Sequence, residues 1–372
     1  MVNRSNSGAN LPTLRSHNAA LVLDLLRVAG ARGISRLELA ERTGLTPQAV
    51  SKITARLRAE GLAAEAGHRA STGGKPRTVL RLVPDAGYAI GLHLDRDELT
   101  TVLVDLSGTV AASRTAPLDL GAPADQVLTA ATDAVAAVRG GGTGPGDRQV
   151  LGVGVAVPGP LDHRGGLLHR VTGFPQWDGY PLRDALAVRT GLPVVVDKDT
   201  NAAALGLALR AAGGGDFAYL HLGTGLGAGL VLGGALHRGA RTAAGEFGHQ
   251  TVQLDGPVCG CGGRGCIEAL CLAAVARGDV AEAARVLGTG AANLVGLLDI
   301  DRVVLGGRTV AADPDAYVRG VRAVIDARAG LGGIDAPVPV VAAGGGDRPV
   351  AEGAAQLILA PLFGRAGGAD GA

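Results

Sequence analysis

Between Gly245 and Cys271 the chain runs GEFGHQTVQLDGPVCGCGGRGCIEALC, a stretch holding all four of its cysteines together with one histidine and two glutamates. Thiols and an imidazole this close in sequence are the donor set of a soft or borderline metal ion, and carboxylates beside them suit general acid-base work or the hydroxyls of a polar ligand. In a reducing compartment thiols stay free, so such a cluster favours metal over disulfides. The stretch is a metal staple, a catalytic site or the wall of a ligand pocket. The elements around it must decide.

At 372 residues the chain is longer than a single core usually serves, so at least two domains are expected. The net charge of +1 conceals an asymmetry: Met1 to Pro84 carries 13 Lys plus Arg against 5 Asp plus Glu, while Asp85 to Ala372 carries 22 against 29. A basic amino-terminal segment on an acidic body indicates a nucleic-acid-binding module attached to something else. The opening MVNRSNSGANLPTLRSHN lacks an apolar signal core, and the longest apolar run, YLHLGTGLGAGLVLGGAL, is broken by glycine. No membrane span and a cytoplasmic location are therefore expected.

In NAALVLDLLRVAG, the spacing of Val22, Leu25, Leu26 and Ala29 predicts a first helix with one apolar face. SRLELAERTG predicts a second, with Ser35 as N-cap, Glu38 three residues on and Gly44 at its end. LTPQAVSKITARLRAEG predicts a third, capped by Thr46, entered through Pro47, burying Val50, Ile53 and Leu57, and stopped by Gly61. The second and third helices joined by TGLT make a helix-turn-helix whose second member enters the major groove. Gln48, Ser51 and Lys52 lie away from the buried face, near the helix amino terminus, where side chains reach base edges; Arg56 and Arg58 are placed for phosphates. LAAEAGHRASTGGKPRTVLRLV then predicts two strands around a tip with Arg69, Lys75 and Arg77, a wing able to reach phosphates or the minor groove.

From GYAIGLHLDRDELTTVLVDLSGTV onward the pattern becomes α/β: YAIGLHL, LTTVLVDL, VLGVGVAVPG and PVVVD read as strands and ADQVLTAATDAVAAV as a helix. Together with the wing, GVGVAVPGPLD, VDKDTNAAALG, LGTGLGAGL and GEFGH...CGCGGRGCIE, in this order, resemble the ROK family (repressor, open reading frame, kinase), in its transcriptional-regulator branch. The resemblance implies an α/β fold in which an N-terminal winged helix-turn-helix (1–84) precedes a two-lobed actin-like, sugar-kinase-like body (85–372). Lobe 1 would span about 85–200 plus a C-terminal helix at about 345–365, and lobe 2 about 201–340. Zinc takes four ligands in a tetrahedron, and His249, Cys259, Cys261 and Cys266 supply an imidazole and three thiolates. Cys271 falls outside that set and is expected to be a small buried residue.

The resemblance also implies that Glu246, His249 and Glu268 face a sugar, with His249 holding zinc through one ring nitrogen and a sugar hydroxyl through the other. Asp199 matches the general base of the kinases. Lys198 stands where the family has an asparagine that binds sugar, which points either to an anionic ligand such as a sugar phosphate or to a pair with Asp199 that closes the site. The kinases carry an Asp-x-Gly-Gly-Thr phosphate loop on the first hairpin. Here His93, Asp95, Arg96 and Asp97 replace its aspartate, glycines and threonine, and carboxylates repel phosphates. GTGLGAG keeps the second loop, and the segment after Glu268 is shorter than the family pattern implies. The expected function is a sequence-specific DNA-binding regulator, a repressor, acting on a double-stranded operator as a homodimer or homotetramer and responsive to a sugar or sugar phosphate. The alternatives are an ATP-dependent sugar kinase with an added head and a regulator without ligand response.

Overall fold

The computed structural model describes residues 11–69, 77–140, 149–171, 173–210, 214–332, 337–344 and 348–365. The head consists of α1 (Leu11–Ala29), β1 (Ile34–Ser35), α2 (Arg36–Thr43), α3 (Pro47–Ala59), β2 (Ala63–Arg69) and β3 (Arg77–Leu82), with the strands in the order β1-β3-β2. Helix α1 begins before the apolar stripe does, because Pro12 is tolerated in a first turn. The punctuation follows the sequence. Ser35 and Glu38 close a capping box, the Ser35 N–H donating to the Glu38 carboxylate at 2.8 Å, and Gly44 ends α2 in the left-handed region. Thr46 accepts from the Ala49 N–H at 3.2 Å to start α3. One core position differs from expectation: Thr54 is buried with Val50 and Leu57, while Ile53 is half-buried. The Thr54 hydroxyl bonds to the Val50 carbonyl at 2.9 Å, which removes the cost of burying it.

The body has two lobes built to one plan. The first contributes β4 (Tyr88–Leu94), β5 (Glu98–Asp105), β6 (Val110–Pro117), α4 (Ala124–Gly140), β7 (Val150–Val157), a small hairpin of β8 (Leu161–Asp162) and β9 (Leu167–Leu168), α5 (Leu182–Thr190) and β10 (Val194–Lys198). The second begins with α6 (Asp199–Arg210) and runs through β11 (Phe217–Leu222), β12 (Leu226–Leu232), β13 (Ala235–Leu236), α7 (Ile267–Ala276), α8 (Val280–Leu298), β14 (Arg302–Gly306), α9 (Arg308–Ala312), α10 (Pro314–Gly332) and β15 (Val340–Ala342). A last helix, α11 (Pro349–Leu359), returns to the first lobe. The sheet orders are β10-β7-β4-β5-β6 and β13-β12-β11-β14-β15. In each, a three-stranded antiparallel meander is extended by two parallel strands. Between Glu268 and β14 the second lobe carries α7 and α8, joined by a tight turn at Gly278.

Helices α6 and α11 lie between the two sheets. Ala202 to Leu205 of α6 and Val350, Ala354 and Leu357 of α11 share one core with Phe217, Tyr219 and Val304 of the second sheet. On its other side α11 presses its backbone onto the first sheet at neighbouring glycines: a Cβ at Gly91 would meet the Ala351 carbonyl oxygen at 1.9 Å and one at Gly154 the Ala354 oxygen at 1.8 Å. Only glycine admits that approach. The amino terminus of α6 therefore starts at the seam between the lobes, and it starts with Asp199.

Head and first lobe share a core as well. Val22, Leu26, Leu80 and Leu82 of the head pack with Val102, Val104, Ala355, Leu359 and Phe363 of the body. Buried Asp24 is held by both Arg27 at 2.7 Å and Arg365 at 2.8 Å, and the Arg27 guanidinium lies over the Phe363 ring. The segment RLVPDAGYAIG joins the end of β3 to the start of β4 through one 3-10 turn, Pro84–Ala86, and its Leu82, Ala86 and Ala89 lie in this shared core, so the head is fixed to the first lobe and to the end of α11.

Candidate ligand cleft and metal centre

The stretch from Gly245 to Glu268 folds back on the second sheet. Gly245 sits at φ +84°, and a Cβ there would lie 2.0 Å from the Ala228 carbonyl oxygen, so glycine alone lets the loop turn against β12. The next residues, Phe247 to His249, make one 3-10 turn that aims Glu246 and His249 at the seam. Glu268 comes from the first turn of α7, and its Oε2 accepts from the Leu226 N–H at 2.9 Å. All five residues expected to face a ligand, Lys198, Asp199, Glu246, His249 and Glu268, line one cavity of about 80 Å³ with Asp95, Arg96, His221 and Thr224. Roughly 10–15 Å³ of such space holds one water, so this is the scale of a single sugar ring.

Behind His249, one ligand atom each from His249, Cys259, Cys261 and Cys266 lies within 4.8 Å of the others. Cys261 Sγ is 3.8 Å from Cys266 Sγ, and Cys259 Sγ is 3.8 Å from His249 Nδ1. Zinc–sulfur bonds of about 2.3 Å at tetrahedral angles set thiolates about 3.8 Å apart. The donor set fits zinc. Cys271 is outside it, as expected: it is buried in the core of the second lobe, its Sγ donates to the Ala283 carbonyl at 3.4 Å, and burial pushes its thiol up to about 12.

Asp199 is the most perturbed acid of the cleft. Burial raises its carboxyl to about 7; the Thr200 N–H and Lys198 act the other way, while Asp95 and Glu246 add to the rise. Of the two roles that the sequence suggested for Lys198, the pair with Asp199 is not formed. The Lys198 ammonium, 3% exposed, donates to Glu246 Oε1 at 3.0 Å and to the Ala244 carbonyl at 2.5 Å, so its ion pair is with Glu246 and not with Asp199. The reason is local. Lys198 ends β10 with its stem against Gly159, pointing across the seam at the Gly245 loop, whereas Asp199 turns into α6 and bonds its own Thr200 N–H at 2.6 Å. Asp197 beside them is 1% exposed and bound by Arg238 at 2.7 Å, a second tie between the lobes.

On the hairpin β4–β5, the carboxylates of Asp95 and Asp97 are engaged. Asp95 Oδ1 accepts from the Arg96 N–H at 2.7 Å and from the Thr224 hydroxyl at 3.0 Å, which ties the first loop directly to the second. Burial alone would raise the Asp95 carboxyl, but His93, these two donors and His221 outweigh it and hold it below the usual range. Asp97 pairs with Arg308 at 2.8 Å from the opposite lobe. His221 and Thr224 were not singled out in the sequence. A histidine two residues after Tyr219 in an otherwise apolar strand, FAYLHL, was the available signal, because period-2 alternation puts both on one face.

In the head, Gln48, Ser51, Lys52, Arg56 and Arg58 are all exposed on α3. Arg56 pairs with Glu60 at 3.6 Å and Arg58 with Glu65 at 3.1 Å, exposed pairs of small worth that a phosphate can displace. Arg77 opens β3 and is exposed, while Lys75 lies outside the described residues. No helix among the described residues is long and apolar enough to cross a membrane.

A winged helix-turn-helix DNA-binding pattern matches residues 23–63. The chain is 32% identical to a xylose repressor of Caldicellulosiruptor bescii over 70% of this chain and 64% of that protein's length. Its fold is similar to that of a ROK family transcriptional regulator, a homologue of the E. coli MLC protein, with a TM-score of 0.75 at 22% identity over 94% of this chain and 97% of the other. A ROK family glucokinase from Streptomyces griseus, in complex with glucose and AMPPNP, superposes on the body with a TM-score of 0.60 at 28% identity, over 73% of this chain and 99% of that one. The ROK family model itself matches residues 89–274, half of the chain, and the chain belongs to the ROK family.

Proposed function

We propose that this protein is a DNA-binding transcriptional repressor that takes a neutral sugar between its lobes and loosens its hold on an operator in response. The observation that carries this reading is the convergence of Asp199, Glu246, His249 and Glu268 on one ring-sized cavity in a chain that also bears a basic winged head. Carboxylates and an imidazole accept and donate hydrogen bonds as the hydroxyls of a sugar need. Lys198 spends its charge on Glu246, so the expectation of a sugar phosphate gives way to an uncharged ligand. Zinc, when bound by His249, Cys259, Cys261 and Cys266, supplies a structural brace that fixes the His249 ring. In the head, Gln48, Ser51 and Lys52 read bases while Arg56, Arg58, Lys75 and Arg77 hold phosphates. A homodimer or homotetramer would bring two such heads to the half-sites of a symmetric operator.

Head and first lobe share a core, so a ligand that changes the angle between the lobes changes the spacing of the two heads in such an assembly. Fluorescence-anisotropy titration of operator DNA with and without a panel of sugars tests the reading: one sugar should weaken binding, and no effect from any sugar that binds the body would refute it.

A second reading, a sugar kinase with an added head, is favoured by one observation: a buried carboxyl near 7 at Asp199 is tuned as a general base is. Against it, Asp95 and Asp97 occupy the phosphate loop and are fixed there by Thr224 and Arg308. Incubation with ATP and the sugar panel separates the two, since phosphate transfer at ordinary kinase rates would reverse this order.

A further inference from the structure

We propose that Cys261 is a thiol–disulfide exchange site: a small disulfide seated beside it is reduced, a Cys261–Cys266 disulfide forms, and the metal centre is emptied. This inference rests on the reading of His249, Cys259, Cys261 and Cys266 as zinc ligands. Of the four cysteines, Cys259, Cys266 and Cys271 are buried and Cys261 is exposed. The Cys261 Sγ stands 3.8 Å from Cys266 Sγ, and a disulfide needs about 2.0 Å. Gly262 and Gly263 stand between the two, and a Cβ at Gly262 would meet nothing within 4 Å, so the backbone there has room to yield the difference. Closing the bond takes two donors from the cluster. His249 and Cys259 alone cannot complete the four-ligand tetrahedron of a structural zinc site.

The surface around the exposed sulfur has the shape to receive such a molecule. Gly260 and Cys261 of the metal loop and Arg170, Phe174, Pro175 and Asp178 of the first lobe line a recess of about 380 Å³, within the roughly 300–1,000 Å³ of small-molecule pockets. The Arg170 side chain is 91% exposed and reaches Asp178 only at 3.9 Å, a pair of small worth that a ligand carboxylate can replace. These walls suit the disulfide of a low-molecular-weight thiol that carries carboxylates. The step balances without a further reactant. The Cys261 thiolate attacks one sulfur of the small disulfide, forming a mixed disulfide and expelling one thiolate; the Cys266 thiolate then attacks Cys261 Sγ and expels the second. Two electrons pass from the two cysteines to the small disulfide, which leaves as two thiols once its thiolates take protons from water. An excess of the small thiol reverses both attacks. Oxidation thereby removes the brace of His249 and, with it, the response of operator binding to sugar.

Anaerobic incubation of the full-length, zinc-loaded protein with oxidised glutathione tests this, with zinc release followed by a chromogenic chelator and the cysteines mapped by peptide mass spectrometry. Zinc should leave only when the disulfide is present, with Cys261 joined to Cys266 and with Cys259 and Cys271 still alkylated after denaturation. Dithiothreitol and added zinc should restore the starting state. Arg170→Glu, which lies outside the metal cluster, should slow release by oxidised glutathione about tenfold and leave release by the neutral hydroxyethyl disulfide unchanged. Zinc retained with four reduced thiols, or a disulfide at any other pair, would overturn the inference while leaving the metal reading in place. Equal rates of release by oxidised glutathione from the natural protein and Arg170→Glu would overturn the recess as the place where the small disulfide sits. A natural protein that takes up no zinc would refute the metal reading and this inference with it.

Discussion

Replacing Asp199 by asparagine removes one charge and keeps the shape of the site, including the acceptor for the Thr200 N–H. The folded carboxyl sits at about 7, raised chiefly by burial, while in the unfolded chain it returns to the ordinary carboxylate value of 3.8. From about pH 4 to pH 7 the folded state therefore keeps a proton that the unfolded state has released, and stability falls as pH rises through that window. At about 1.4 kcal/mol per pH unit the penalty is absent below pH 4, reaches on the order of 4 kcal/mol at pH 7, and is constant above it. Asparagine carries no such dependence. Relative to the natural protein, Asp199→Asn should gain about 3 kcal/mol in stability between pH 5 and pH 8. Urea unfolding followed by the fluorescence of Trp177, the single tryptophan and a buried one in the first lobe, measures it at each pH. Taking the difference between the two proteins cancels every other titrating group. Parallel pH profiles for the two would refute the idea that an uncompensated buried charge sits at the head of α6.

Other outcomes follow from the same geometry. Cys261→Ala should release zinc, measured by metal content, and weaken sugar binding because His249 loses its brace; retained sugar affinity in the metal-free variant would separate staple from pocket wall. Lys52→Ala should lower operator affinity by about 1–3 kcal/mol, as loss of a base contact does, without changing the Kd for sugar. Lys198→Met should destabilise the first lobe by roughly 1–3 kcal/mol, because the Glu246 carboxylate and the Ala244 carbonyl lose their donor. Arg365→Ala removes one of the two guanidinium partners of Asp24 and should cost about 1 kcal/mol, given that Arg365 is half-exposed. Its clearer readout is a weaker effect of sugar on operator binding, since the head loses part of its tie to α11.

Much of the head was legible because its signals are local. Ser35, Glu38, Gly44, Thr46 and Pro47 act within a turn of their own position, so caps and boundaries follow from residue type. The cluster of candidate metal donors was legible for the same reason, being four residues of distinctive chemistry on one short loop. What sequence could not give was set by contacts between distant segments. The partner of Lys198 depends on where the Gly245 loop crosses the seam, 46 to 48 residues away in the chain. The Asp95–Thr224 bridge spans 129 residues and the Asp97–Arg308 pair 211, and neither has any local signature. The fusion of head and body escaped notice likewise, because Phe363 and Arg365 join α1 only through the fold. A basic segment followed by a Pro-containing stretch looks like a flexible connection until its apolar residues find a shared core.

The account as a whole stands on one coupling, and operator binding measured by fluorescence anisotropy against sugar concentration tests it most directly. Saturating the cleft with its ligand should raise the operator Kd of the natural protein by tenfold or more. An operator Kd that stays constant while calorimetry shows the cleft filled would contradict it.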